Sequence, residues 1–173
     1  MIDVKILIEK QLKDTKLDIL VFGPAIHPVS ANPHTSSLQL KRQQIKQRLI
    51  DEGHSAMFGE DIVDSSLPSY LADPLTQELV AMRAVDLIIV LVGSPGSLVE
   101  AAAIATEREL CQKTQFYCFD EHKDGLAVQH FRHMENYGAT CTLVTLADVQ
   151  ACHLTGAVLD RVRAVQIGKA FLF

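Results

Sequence analysis

The chain has 173 residues, 48% of them hydrophobic and 21% charged, with a formal net charge of -5. That length suits one domain with a substantial core, and the apolar share excludes disorder. A pI near 5.8 and a 6% aromatic content without a single Trp exclude a binder of nucleic-acid polymers, which needs a basic face or stacking platforms.

The opening segment from Asp3 to about Lys13 places Val4, Leu7, Ile8 and Leu12 at helical spacing. Asp3, Glu9 and Lys10 lie among its apolar residues, unlike a signal peptide. Leu17 to Phe22 is a short continuous apolar run stopped by Gly23-Pro24, the pattern of a strand buried on both faces. A polar loop from Ala25 to Thr35 follows; Ser36 or Ser37 then caps a helix from about Leu38 to Glu52 that Gly53 ends. Ser55 to Phe58 reads as a second, weaker strand leading into Gly59-Glu60-Asp61 and a loop from Ile62 to Asp73.

Asp73 caps a helix that Pro74 opens and that runs to about Ala84. Leu87 to Val92 (LIIVLV) is the strongest strand, and its apolar stretch, broken by Gly93, Pro95 and Gly96, falls short of the ~20 residues of a membrane span. The turn Gly93 to Ser97 leads into an Ala-rich helix from Leu98 to Leu110. Gln115 to Phe119, a helix from Leu126 to Tyr137, and Cys141 to Leu146 continue the alternation, and Asp148 caps a last helix reaching Gly168. Strict strand–helix alternation predicts a three-layer, doubly wound, flavodoxin-like α/β fold with a five-stranded parallel sheet in the order 2-1-3-4-5.

The cysteines, Cys111, Cys118, Cys141 and Cys152, are scattered without a CxxC pair, so no zinc site is expected and all are read as reduced thiols of a cytoplasmic protein. His130 and His133 share a helix face but lack a third ligand, so no metal is expected.

Ligands of doubly wound sheets sit beyond the carboxyl ends of the strands, where the strand order reverses. Here that crevice is expected between Gly23-Pro24-Ala25 and Gly93-Ser94-Pro95-Gly96-Ser97. Gly96 and Ser97 precede a helix start whose N–H groups attract an anion. Glu100 follows in the first turn, either as a reactive carboxylate or as the end of an ordinary Ser97-x-x-Glu100 capping box. Neither a GxGxxG fingerprint, a GxxxxGK[ST] loop nor a GxSxG elbow is present. Glu60, Asp61, Asp120 and Glu121 end strands on the same edge and are candidates for a second acid, with Glu60-Asp61 first. His27 and His34 lie in the loop above.

Gly23-Pro24-Ala25, Gly59-Glu60-Asp61 and Asp86…Gly96-Ser97-x-x-Glu100-Ala101 resemble the nucleoside 2-deoxyribosyltransferase-like proteins, and are similar to the TIR and LOG-type (SLOG) Rossmannoid domains. Pro95-Gly96-Ser97-Leu98-Val99-Glu100 is similar to the LOG motif PGGxGTxxE, two residues shorter and with Ser for Thr. The resemblance implies that Glu100 attacks or stabilises the anomeric carbon of a nucleoside or nucleotide, with Gly23-Pro24 along the sugar or base. The expectation is therefore an N-glycosidase or deoxyribosyltransferase-like enzyme. Its catalytic residues would be Glu100, Glu60 and Asp61, and its substrate contacts Gly23, Pro24, Ala25, His27, Ser94, Gly96 and Ser97. The expected partner is a nucleoside, nucleotide or NAD, with no cofactor, no nucleic-acid polymer and no membrane. A homodimer through the long first and last helices is also expected, because the ending Ala170-Phe171-Leu172-Phe173 exposes aromatics. The alternative is a non-catalytic nucleotide sensor of the same fold.

Overall fold

The computed structural model describes residues 3–68 and 72–171. The chain runs α1 (Val4–Asp14), β1 (Asp18–Phe22), α2 (Pro33–Asp51), β2 (Ser55–Phe58), α3 (Pro74–Ala84), β3 (Leu87–Val92), α4 (Pro95–Ile104), α5 (Arg108–Gln112), β4 (Thr114–Phe119), α6 (Leu126–Glu135), β5 (Thr140–Val144), α7 (Leu146–Gln150) and α8 (His153–Phe171). The five strands form one sheet in the order β2-β1-β3-β4-β5, every neighbouring pair parallel. This is the architecture expected from the alternation of apolar runs.

Alternate strand residues feed two separate cores, which is why the runs are continuously apolar rather than alternating. On one face Ile19, Val21, Leu87, Ile89, Leu91 and Tyr117 pack with α2, α7 and α8 through Leu38, Ile45, Val149, Leu154 and Val158. On the other, Leu20, Phe22, Ile88, Val90 and Phe116 pack with α3 to α6 through Met82, Ala101, Ile104, Leu110 and Phe131. Helices thus cover both faces. α1 buries only Leu12 and is tied down by Gln166, whose Nε2 donates to Leu12 O at 2.7 Å and Thr15 O at 2.9 Å. No helix among the described residues is long and apolar enough to cross a membrane.

Several boundaries differ from the sequence expectation, each for a local reason. Helix α2 begins at Pro33, capped by Asn32, whose side chain accepts from His34 N and Thr35 N; Ser36 and Ser37 lie inside it. The Ala-rich helix breaks after Ile104: Thr106 Oγ1 donates back to Ala103 O at 2.7 Å, and Glu107 turns extended to start α5. Asp148 is the third residue of α7 rather than the cap of the last helix. Thr145 holds the cap position and exchanges hydrogen bonds with Asp148, while an extended Ala151 separates α7 from α8. Of the expected exposed ending, Phe171 is half exposed, and Leu172 and Phe173 lie outside the described residues, as do residues 69–71 of the loop before α3.

Candidate functional site

Because the strands are parallel, β1, β2 and β3 all deliver their following residues to one edge of the sheet. Gly23-Pro24 leaves β1, a single 3-10 turn, Gly59–Asp61, leaves β2, and the Gly93-Ser94 turn leaves β3 into α4. Beneath them lies Arg42 of α2, only 1% exposed. Its Nε and Nη2 donate to Val21 O at 3.0 and 2.8 Å, and its Nη1 to Pro24 O at 3.2 Å. The same guanidinium forks onto Glu60, with Nη1 to Oε1 at 2.8 Å and Nη2 to Oε2 at 2.6 Å, and it stacks over the Phe58 ring at 4.4 Å. A planar fork of this kind binds a carboxylate in fixed orientation. One buried cation therefore fixes both the β1 exit loop and the acidic residue after β2.

Two further carboxyls face this pair. Glu78, from the middle of α3, approaches the backbone of Gly59: a Cβ there would lie 3.0 Å from Glu78 Oε1 and 2.4 Å from Phe22 Cε1. Only a glycine leaves that space, and the Phe22 ring is part of the core. Burial, reinforced by Glu60 and Asp73 against the opposing Arg42, pushes the Glu78 carboxyl above its ordinary value. Glu100 of α4 is pushed further, to about 8, first by burial and then by Glu78 and Glu60, with Arg42 opposing. Its Oε2 is buried without a hydrogen-bond partner. Like charges held out of water disfavour a second ionisation, so a proton is retained in this set at neutral pH.

The alternative role of Glu100 as a capping residue does not hold. The capping box of α4 is Ser94 with Ser97, not Ser97 with Glu100. Ser94 Oγ accepts from Ser97 N at 3.2 Å; Ser97 Oγ donates to Ser94 O at 2.8 Å and accepts from Ser94 N at 3.1 Å. Ser97 is fully buried, its hydroxyl engaged within the turn, and a Cβ at Gly96 would meet Ser94 Oγ at 3.8 Å, an ordinary contact.

The other expected site residues divide. Gly23 and Pro24 border the Arg42–Glu60 pair, and Gly23 has a φ of +153° and would clash lightly with Leu91 if it carried a Cβ. Ala25 O accepts from Gln39 Nε2, which also donates to Pro28 O at 2.9 Å and so pins the loop. Asp61 is adjacent but engaged elsewhere: it pairs with Lys46 and accepts from Phe58 N at 2.9 Å. Burial pushes its carboxyl up, but those bonds and the charges of Lys46 and Arg42 outweigh it and hold it low. His27 borders a separate depression with Ser36 and Leu40 on the outside of α2, away from the carboxyls.

A cavity of about 420 Å³ opens beyond the ends of β3 and β4, one strand over from the expected crevice, lined by His34, Ser94, Leu98, Phe119, Val128 and Phe131 among others. His34 stacks on Phe119 with ring centroids 4.8 Å apart, and its Nδ1 lies 2.7 Å from Glu121 Oε1. Ser94, the cap of α4, and Pro95 and Leu98 within it line this cavity, but Glu100 does not. Among the described residues no group of three or more His, Cys, Asp and Glu is placed to hold a metal ion.

Arg42 and Glu78 were not among the residues singled out from the sequence, yet both leave a trace in it. Arg42 interrupts the inward stripe Leu38, Ile45, Leu49 of α2 at helical spacing, and Glu78 precedes the buried Met82 by one turn. A charged residue on an apolar stripe is a buried charge in need of a partner. No family model matches this chain, and a search of curated protein sequences finds no match either.

Proposed function

We propose that this chain cleaves an N-glycosidic bond of a nucleoside or nucleotide, as a hydrolase or a deoxyribosyltransferase-like enzyme, with Glu100 as the carboxylate at the anomeric carbon. The observation that supports this reading is the Glu100 carboxyl itself, largely withdrawn from water beside Glu78 and the Arg42–Glu60 pair, with Oε2 left unpartnered where β1, β2 and β3 end. N-glycosidic cleavage passes through an oxocarbenium-like sugar, and a desolvated carboxylate stabilises that cation far better than a hydrated one. In the double-displacement form the ionised Glu100 bonds to the anomeric carbon as the base departs, and water or a second base then takes the sugar. Arg42 forks onto both oxygens of Glu60 and fixes the orientation of that carboxyl, so Glu60 serves as a positioned contact to the sugar.

The test is a panel of nucleosides, nucleoside monophosphates and NAD, scored by chromatography for free base. Release of base by the wild-type chain and not by Glu100→Gln supports the reading; equal release by both refutes it. The second reading, a nucleotide sensor, draws on the cavity at His34 and Phe119, which lies beside α4 without including Glu100. On that reading a nucleotide raises the melting temperature and no product forms. Either activity suits a cytoplasmic protein with its four cysteines free. Self-association would use α1, where Val4, Ile6 and Leu7 are each more than half exposed.

A further inference from the structure

Helix α4 separates two places. Leu98 lines the cavity beyond β3 and β4 and Glu100 does not, and positions two apart on a helix do not share a face. A molecule in the cavity is therefore held on a different side of α4 from the Glu100 carboxyl. At about 420 Å³ the cavity has the size of small-molecule sites, which run from about 300 to 1,000 Å³. We propose that it binds an uncharged, flat heteroaromatic ring bearing an amino group, as in an aminopurine nucleoside, and that Glu121, positioned by His34, reads the amino group. The inference deepens the nucleotide-sensor reading, on which it rests, by naming the part of the molecule that is recognised.

Val92, Leu98, Val128 and the rings of Phe119 and Phe131 give the cavity an apolar wall. Both rings are fixed in place: Phe131 lies against Phe116 with centroids 4.7 Å apart, and Phe119 carries the His34 imidazole at 4.8 Å. A flat ring packs on such rings in offset or edge-on contact. Among the described residues no Lys or Arg lines the cavity, and Glu121 places a carboxylate at its edge. A phosphate would find no cation there and would meet a like charge, so a neutral ligand is preferred. A carboxylate only accepts, and the ligand group that meets it is therefore an N–H donor. Its position is set from α2, where His34 Nδ1 lies 2.7 Å from Glu121 Oε1 and Asn32 Oδ1 accepts from His34 N at 2.9 Å. Asn32 also lines the cavity; with its Oδ1 committed to the N–H groups of His34 and Thr35, its Nδ2 supplies a donor for a ring nitrogen.

The experiment titrates Glu100→Gln, in which cleavage does not intervene, with adenosine and with purine riboside, the same ring without the amine. The Leu98 methyl and His34 ring signals are followed by NMR. Both should shift to saturation with adenosine, and adenosine should bind at least about tenfold more tightly than purine riboside, the worth of a hydrogen bond to a charged group. Unmoved signals overturn the site, and equal affinities overturn the reading of the amine. Glu121→Ala should remove the difference between the two ligands; a difference that persists overturns the role of Glu121. Leu98→Trp fills the cavity from a half-exposed position and should abolish the His34 shifts, with the folded state checked by circular dichroism. His34 shifts that survive in the folded variant overturn the location, and the two-ligand comparison decides the proposal even where that variant fails to fold. Adenosine monophosphate should bind no more tightly than adenosine, and a monophosphate about tenfold tighter overturns the preference for an uncharged ligand. Adenosine held in the cavity of a chain whose wild type releases no base keeps this site and overturns the N-glycosidic reading. Base release by wild type with unmoved Leu98 and His34 signals overturns this site alone.

Discussion

Replacing Glu100 with Gln keeps the size of the side chain and removes its ability to ionise, which makes the cost of this carboxyl to the fold measurable. In the fold Glu100 titrates at about 8, against 4.5 in an open chain. The folded state therefore holds a proton that the unfolded state has released between those two values. The associated stability is fully present below pH 4.5 and is lost as pH rises through about 8. Each pH unit of that interval is worth about 1.36 kcal/mol, which sets a ceiling of roughly 5 kcal/mol. Water entry and local relaxation screen part of it, leaving about 2–3 kcal/mol. Glu100→Gln has no such loss, so its advantage over wild type should grow by that amount between about pH 5 and about pH 8.5. For a chain of this length that corresponds to about 5–10 °C in melting temperature. Far-UV circular dichroism with urea is the assay, since the chain has no Trp to report by fluorescence. Parallel pH dependence of the two proteins across the range would refute the claim that the fold withholds this carboxyl from water.

The remaining predictions concern the surroundings of Glu100. If the ionised form attacks the sugar, turnover at limiting substrate should rise about tenfold per pH unit up to about 8 and then level, and a rate that falls across that range would assign Glu100 the acid role instead. Arg42→Met removes the buried charge and leaves Val21 O and Pro24 O without their donor, at about 2–4 kcal/mol in urea unfolding; a loss below about 0.5 kcal/mol would contradict the role given to this guanidinium. Gly59→Ala forces a Cβ to within 2.4 Å of Phe22 and should cost about 1–3 kcal/mol while pressing on Glu78, so a neutral effect would show that the space is larger than described. Asp61→Asn loses only a half-exposed pair with Lys46 and should change stability by about 1 kcal/mol or less and turnover by less than about twofold; a large rate loss would return Asp61 to the catalytic set.

The order of the strands was legible because each is buried on both faces and is therefore written as an unbroken apolar run, such as Leu87 to Val92. Glu100 was legible for a different reason: it lies shortly after that strand, behind a turn crowded with small residues, although the helix starts at Pro95 and so places Glu100 in its second turn. Its capping role, open from the spacing, is excluded only by three-dimensional contacts, because Ser94 and Ser97 satisfy each other. Arg42 and Glu78 were harder to see. Arg42 sits on a mostly polar helix, and the partners of the two residues, Glu60 and the Gly59 backbone, lie 18 and 19 residues away in sequence. Such pairings are set by how helices lie across the sheet, which periodicity alone does not encode. The breaks after Ile104 and at Ala151 were hidden for a similar reason, since Ala-rich and amphipathic stretches keep helical spacing across a short interruption.

The central claim is tested most directly by incubating a purine nucleoside, a nucleoside monophosphate and NAD with wild type and with Glu100→Gln, at equal folded concentration, and measuring free base. The account predicts base release from at least one of these by wild type, reduced at least about 100-fold in Glu100→Gln. Base release at the same rate from both proteins would contradict it.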